Sequence, residues 1–365
     1  MLRATTRFSN NAVVPSGATA LLYNGVMSLP KIIAIVGPTG SSKSALALAV
    51  ARRFNGELIS ADSRQLYKGL DIGSAKDKGS WIMIHGEAHY LVDGVREHLV
   101  DVLEPGKEWS VSEYQRRAFE VMDDIIVRAK IPIIVGGTGL YVQAIIENLS
   151  FPNVAPNPEL RTRLEQRSLQ DLMATYAACD PVGAMSIDEN NRRRLIRAIE
   201  VCWIARRPFS EMQTKGPRKY DVLQVAFDVP REALYMRLDG RVLQMMKDGL
   251  VNEVRGLLDK GVDTRSNAMS GIGYREVVQH LQGEIDEMTM IALIQNNTRN
   301  LAKRQLTWFK RDPSVHWIKS EEEGLRLISR HCDPSLREGR GKQPHPASNS
   351  VCLRYAVASS LRSSQ

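Results

Sequence analysis

The sequence predicts an α/β protein, a P-loop doubly wound parallel sheet core with an inserted all-helical domain, and three observations carry that prediction. The β-branched run IIAIV at 32–36 passes directly into GPTGSSKS at 37–44 and then into ALALAVARRF at 45–54, which is the order strand, glycine-rich turn, helix. Apolar runs of strand length alternate with helical patterns as far as residue 149, as βαβ units do. From 158 to 207 every strong pattern is helical, and the linkers FPNVAPNPEL and QTKGPRKYD flank it before VLQVAFDV at 222–229 supplies a strand that rejoins the sheet. The α/β core is therefore expected at 31–149 and 221–320, and a helical insertion at 150–220.

The elements follow in order. After the first helix, GELIS ends a short strand at Ser60, which leaves Asp62 just beyond its carboxyl end, where parallel sheets place functional side chains. The stretch 64–97 contains Gly69, Gly73, Gly79, Gly86 and Gly94 without clear periodicity and reads as mobile loops. HLVDVLEP at 98–105 reads as another buried strand. A helix is expected from 112 to about 128, with Glu113 near its start and Arg128 and Lys130 near its end, the arrangement that suits a helix dipole. IPIIVGGTGLY at 131–141 repeats the strand, turn, helix order. Beyond the insertion, helical patterns at 231–261 and a long helix over about 286–309 complete the core, and no internal repeat is present.

With 365 residues, 43% hydrophobic and 25% charged, the chain can bury a large core and divide into two lobes. No window offers the roughly 18 uncharged apolar residues of a membrane helix. Cys179, Cys202, Cys332 and Cys352 lack C-x-x-C or histidine spacing, which argues against zinc and a disulfide framework and for a reducing, cytoplasmic setting. A net charge of +8 leaves room for a polyanionic partner without requiring one. Residues 1–30 carry Arg3 and Arg7 but no acid, and Met27 stands just before the first strand, so the extension reads either as a transit segment or as a start placed too early; it is expected to be disordered. The Ser- and Pro-containing tail at 331–365 is also expected to be disordered.

The chemistry of the loop is read from residue types. Backbone amides of Gly37, Pro38, Thr39, Gly40, Ser41, Ser42, Lys43 and Ser44, the proline excepted, converge with a helix start on an anion. Lys43 supplies a point charge and the Ser44 hydroxyl a ligand for Mg²⁺. Ser42 stands where G-x-x-x-x-G-K-[ST] has glycine, and a left-handed conformation there would cost roughly 1–2 kcal/mol. Asp62 on residues alone is equally a turn or helix-capping aspartate, and Thr138 is suited to an N-cap. The basic clusters Arg192, Arg193, Arg194 and Arg197 and RNLAKRQLTWFKR at 299–311 fit solvated helix faces on charge alone, while Trp308 and Phe309 suit a core.

Eight stretches in register, GPTGSSKS, LISADSRQLYKGLDIGSAK, HLVDVLEP, IVGGTGLYVQAI, DENNRRRLIRAIEV, RLDGRVLQMMKDGLVNEV, GIGYREV and TRNLAKRQLTWF, closely resemble the tRNA dimethylallyltransferases, the tRNA isopentenyltransferase family, over residues 32 to 318. The resemblance implies transfer of a dimethylallyl group from its diphosphate to the exocyclic amine of the adenine 3′ to the anticodon. It implies that the loop holds an isoprenoid diphosphate with Mg²⁺, that Arg241 reaches the diphosphate from the other side, that Asp62 is the general base, and that Thr138 hydrogen-bonds the reacting groups. It further implies RNA contacts at Asp62, Ser63, Arg64, Gln65 and Thr138, at Arg193, Arg194 and Arg197, and at Ser270, Gly273, Tyr274 and Arg275, with the target adenine flipped from its stack. The expected partners are the anticodon stem-loop of tRNA and dimethylallyl diphosphate, and the expected state is a monomer with no membrane association.

The sequence departs from the family at Ser42, where the family usually keeps glycine, and at both ends. A C-terminal zinc finger of the kind some eukaryotic members carry is absent, which points to the bacterial type. The same residues leave room for an adenylate isopentenyltransferase acting on free AMP, for a small-molecule kinase using ATP at the same loop, and for an RNA-binding module with an inactive loop.

Overall fold

The computed structural model describes residues 21–23 and 26–333. Within the N-terminal extension, β1 (Leu21–Tyr23) pairs antiparallel with β2 (Val26–Ser28), so the expectation of disorder over 1–30 does not hold there; residues 1–20 lie outside the described residues. The core then opens with β3 (Lys31–Val36), α1 (Lys43–Phe54) and β4 (Gly56–Ser60), followed by β5 (Ser80–Ile84), β6 (Glu87–Val92), β7 (Val95–His98), α2 (Val111–Val127), β8 (Ile131–Gly136) and α3 (Gly139–Ile146). The insertion comprises α4 (Pro158–Glu165), α5 (Leu169–Cys179), α6 (Pro181–Ala184), α7 (Arg192–Ala205) and α8 (Phe209–Met212). The chain returns through β9 (Asp221–Phe227), α9 (Arg231–Asp248), α10 (Leu250–Asp259), α11 (Tyr274–Leu281), α12 (Glu287–Lys310), β10 (Val315–Ile318) and α13 (Glu321–Cys332). His331 and Cys332, assigned to the tail from sequence, form the last turn of α13, and residues beyond 333 lie outside the described residues.

Eight strands form one sheet in the order β10-β9-β3-β8-β4-β7-β6-β5. The first six run parallel, and β6 and β5 extend the sheet antiparallel. In β3, Ile32, Ala34 and Val36 face a core shared with α2, α3 and α10 to α12, while Ile33 and Ile35 face α1 and α13. Burial on both faces is why this strand is continuously apolar and does not alternate.

Two sequence expectations need correction. HLVDVLEP is not a strand: pairing ends at His98, and Leu99 and Asp101 take positive φ values of 60° and 52°. Leu99, Val100 and Leu103 are nonetheless buried, and the segment bonds residues 65–68 through Asp101 N to Gln65 O (3.1 Å) and Val102 N to Leu66 O (2.9 Å). Burial without a ladder produced the strand-like composition. Of the stretch read as mobile loops, 64–79 has no regular element, but 80–97 forms strands β5 to β7. His85-Gly86 and Asp93-Gly94 have positive φ at both residues and close two tight hairpins, so these glycines mark type I′ turns.

The insertion leaves and rejoins the core at one neck, where Ser150 N bonds Thr214 O at 2.8 Å and Gly216 N bonds Asn148 O at 2.9 Å. It has its own apolar core, centred on Leu164, Leu172, Tyr176, Leu195 and Ile199. Glu200, fully buried on α7, accepts from Arg161 Nε and Nη2 at 2.9 and 2.8 Å, from Arg197 Nη1 at 2.5 Å and from Asn157 N at 2.7 Å.

A second buried carboxylate ties the opposite end of the sheet. Glu57 on β4 accepts from Arg128 Nη1 and Nη2 (2.5 and 2.7 Å), Lys130 Nζ (2.7 Å) and His98 Nε2 (2.8 Å). Burial opposes its charge, but these hydrogen bonds win and hold the carboxyl well below the usual range. A depressed pKa stabilises the fold at neutral pH and loses that contribution as acid titrates the group. Glu57→Ala is expected to cost about 3 kcal/mol in denaturant unfolding at pH 7, the low end for a broken buried pair because its cations are one-third exposed. The difference from the native protein should shrink toward pH 3, and a gap independent of pH would remove the electrostatic explanation.

Candidate active site

The neighbouring strands β3, β8 and β4 end on one edge of the sheet, and the turn after each builds part of one cleft. After β3 comes the glycine-rich loop. Gly40 has φ 79°, and a Cβ there would lie 2.7 Å from Leu238 Cδ2, so both the turn and the close approach of α9 require glycine. Ser42 adopts φ 67°, ψ 27°, the left-handed region, and its side chain caps no helix amide. The strain anticipated for a Cβ at this position is therefore present. Ser42→Gly is expected to stabilise the fold by up to about 1 kcal/mol. Unchanged or reduced stability in chemical denaturation would show that the loop gains something from the serine.

Lys43 Nζ and Ser41 Oγ both donate to the Pro38 carbonyl, at 2.6 and 2.8 Å. Burial lowers the Lys43 amine to about 8; Asp62 opposes the shift, Arg241 adds to it and Asp77 opposes it. Ser44, in the first turn of α1, lines the same cleft.

After β4, Ala61 N bonds Val135 O at 2.7 Å, and Asp62 Oδ1 accepts from Arg64 N at 2.8 Å, an Asx turn that fixes the carboxylate at the cleft wall. After β8, Gly136 lies so close to this turn that a Cβ would come 2.2 Å from Ala61 O. Thr138 joins the two turns, its N donating to Ala61 O at 3.1 Å and its Oγ1 accepting from Ser63 N at 3.2 Å. Thr138 occupies the N-cap position of α3, but its hydroxyl serves Ser63 and not a helix amide, so the side-chain cap read from the sequence is absent.

The far wall comes from α9 and α12. Arg241 Nη1 donates to Thr39 Oγ1 at 3.3 Å, which places the guanidinium across the loop from Lys43. Burial lowers its pKa and Asp77 opposes the shift. Gln305 bridges two turns, accepting from Thr39 N at 2.9 Å and donating to Gly137 O at 3.0 Å. Among the described residues no group of three or more His, Cys, Asp or Glu could hold a metal. The Ser44 hydroxyl is a hard oxygen donor lining the same cleft, the kind of ligand that Mg²⁺ takes when it binds with nucleotides.

The sequence-predicted RNA contacts divide on inspection. Arg193 and Arg194 are exposed at the start of α7, whereas Arg197 is committed to Glu200 and, through Nη2, to Val154 O at 2.8 Å. Sharing a helix face does not make the three equivalent, and Arg197 braces the insertion core. Tyr274 is fully buried and donates to Glu253 Oε1 at 2.7 Å, so its side chain faces the core and not RNA. Gly273 is buried at φ 93° and its N donates to Glu276 Oε2 at 2.8 Å. Arg275 is exposed and pairs with Glu276 at 2.6 Å. Arg64 donates to the Asn267 carbonyl and, at 3.3 Å, to Ser270 Oγ, tying the Asp62 turn to the segment before α11. Gln65 lines the cleft and accepts from Ser60 Oγ at 2.8 Å.

Sequence reasoning missed Gln305, Asp77, Glu97 and Glu253. Glu253 accepts from the backbone N–H groups of Asp71, Ile72 and Gly73 at 3.1, 2.7 and 3.2 Å and so shapes the loop that closes the cleft. Its sequence signal is its place in the stretch RLDGRVLQMMKDGLVNEV; Gln305 is one polar residue inside a basic helix.

The chain matches the IPP transferase family over residues 65–312. It is 42% identical over 295 residues to the tRNA dimethylallyltransferase of Heliobacterium modesticaldum, covering 79% of this chain and 89% of that protein. It is also 42% identical over 306 residues to that of Carboxydothermus hydrogenoformans, covering 82% and 95%. The crystal structure of the full-length tRNA isopentenylpyrophosphate transferase of Bacillus halodurans superposes with a TM-score of 0.60 at 33% identity, covering 84% of this chain and 97% of that one. A eukaryotic dimethylallyltransferase acting on tRNA superposes with a TM-score of 0.68 at 25% identity, covering 86% and 81%.

Proposed function

The chain belongs to the IPP transferase family, and from that membership we infer that it transfers a dimethylallyl group from dimethylallyl diphosphate to the N6 amine of the adenosine 3′ to the anticodon of tRNA, releasing diphosphate. The observation that carries this reading is that Lys43, Arg241 and the Asp62 carboxylate line a single cleft at the carboxyl edge of the parallel sheet. The loop amides, Lys43 and Arg241 hold the diphosphate and neutralise charge as it departs. The Ser44 hydroxyl would hold Mg²⁺, which would supply further neutralisation of the leaving group. The N6 nitrogen forms a bond to the allylic carbon, the carbon–oxygen bond to the diphosphate breaks, and Asp62 accepts the proton that the nitrogen then loses. Thr138 keeps the Asp62 turn at a fixed distance from the third turn. The cleft is complete within one chain, which supports a monomer, and the tRNA substrate supports a cytoplasmic site of action.

The adenine must leave its stack to reach Asp62. Exposed Arg193 and Arg194, at the tip of the insertion's α7, are placed to meet phosphates of the anticodon stem-loop. Arg193→Glu with Arg194→Glu is expected to weaken stem-loop binding and to lower the salt slope by roughly 1.5–2. An unchanged slope would take these arginines out of the interface. Incubation with dimethylallyl diphosphate and Mg²⁺, offering unmodified tRNA and AMP in parallel, tests the substrate: prenylated adenosine should accumulate only in tRNA, and prenylated AMP alone would assign the chain to free-nucleotide chemistry.

A further inference from the structure

The cleft contains two carboxyl groups that the reaction does not use. Asp77 and Glu97 line it together with Lys43, Arg241 and Asp62, so two cations stand against three carboxyl groups. A site fully ionised in this way would carry net negative charge where a diphosphate has to enter. Lys76, next to Asp77 in the chain, does not correct the balance. Lys76 is already held by Asp71 (2.5 Å), by Asp101 and by the Tyr67 carbonyl (3.2 Å).

The backbone of Asp77 is fixed while its carboxylate is not. Tyr90 OH donates to Asp77 O at 2.7 Å and accepts from Gly79 N at 3.0 Å, so β6 pins the loop at this residue. Asp77 lines one cleft with Lys43 and Arg241, the acidic neighbour of Arg241 and the second, after Asp62, of Lys43. Glu97 stands on β7, paired with Leu58 of β4 on one side and Tyr90 of β6 on the other. It is 8% exposed. Leu58 offers it no charge, Tyr90 is spent on Asp77 and Gly79, and the remaining charged groups facing it are Asp77, Lys76 and, across the cleft, Lys43, Arg241 and Asp62. Burial chiefly, with Asp77 adding and Lys76 opposing, raises its carboxyl to about 8.

We propose that Asp77 is the resident counter-ion of Arg241, and with Asp62 of Lys43, in the donor-free protein, holding the electrostatic place that the diphosphate takes over, and that Glu97, lining the same cleft, carries the proton that keeps this carboxyl pair to a single negative charge. The pair thereby sets the affinity of the site for anions. Lys43 and Arg241 remain ordered and partly neutralised between turnovers, and a bound diphosphate must outcompete Asp77. The inference rests on the donor-site reading above. As pH rises through about 8, Glu97 gains its charge, and that change weakens anion binding.

The test is calorimetric binding of inorganic diphosphate to the full chain, without prenyl donor or tRNA, with and without Mg²⁺. Lys43→Ala serves as the control for the donor site: if it binds as the native protein does, the donor-site reading fails and the present inference with it. With that control lost as expected, Asp77→Asn should bind diphosphate about tenfold tighter at pH 7, the effect of removing one like charge from a partly screened site. Equal affinity would overturn the role of Asp77. Weaker affinity confined to Mg²⁺ buffer would overturn it too, making Asp77 a ligand for the accompanying ion. Glu97→Gln, an isosteric change, should bind as the native protein does at pH 6.5 and lose affinity less steeply between pH 7 and 9. An unaltered slope would overturn the part given to Glu97.

Discussion

Asp62→Asn should lower turnover by about a thousandfold, within the range of positioned general bases, while leaving the affinity for the anticodon stem-loop within about twofold. The adenine amine is a weak nucleophile that becomes acidic only as nitrogen bonds to carbon, so the carboxylate matters most at the transition state and little in the ground-state complex. Asparagine keeps the acceptor oxygen that receives Arg64 N at 2.8 Å, so the turn that positions residues 62–65 should survive the substitution. Measuring kcat under single-turnover conditions beside stem-loop binding separates the two roles. A large loss of binding with near-normal chemistry would make Asp62 a contact for the flipped nucleotide and reopen the identity of the base.

Lys43→Ala should reduce kcat/KM for dimethylallyl diphosphate by about 10² to 10³, the scale of removing one preorganised charge at a departing oxyanion. The structure adds a dependence on pH. With its amine lowered to about 8 by burial, Lys43 in the free protein loses its charge within the range of an ordinary assay. Donor affinity in the native protein should therefore fall as pH rises through that value, and Lys43→Arg, always charged, should retain affinity at alkaline pH at the expense of geometry. If kcat/KM in Lys43→Ala stays within a few-fold of native, the loop is not the donor's phosphate site.

Much of the site is legible in the sequence because it is built from local turns at strand ends. The order of strand, GPTGSSKS and helix determines what Lys43 and Ser44 can reach, and the left-handed Ser42 was inferable from its place in the loop pattern. Asp62 and GGTGLY were visible for the same reason. What was not legible depends on partners distant in the chain. Gln305 meets Thr39 across 266 positions, and no periodicity marks that encounter. Arg197 looked like one more arginine in a basic run, but it donates to Glu200, which Arg161 and Asn157 also hold. Tyr274 lies in a segment resembling RNA contacts, yet Glu253 turns its hydroxyl inward. The hairpins of 80–98 were hidden differently: His85-Gly86 and Asp93-Gly94 carried the turn signal, but an edge strand with exposed Trp81 and Met83 shows no inward-outward alternation to confirm it.

The most direct measurement is a crystal structure of the protein with an unmodified anticodon stem-loop and a non-transferable thio analogue of dimethylallyl diphosphate. The diphosphate should sit on the amides of residues 39–44 between Lys43 and Arg241, with the flipped adenine's N6 within hydrogen-bond reach of the Asp62 carboxylate. Diphosphate bound away from the loop, or an adenine remote from Asp62, would contradict the account.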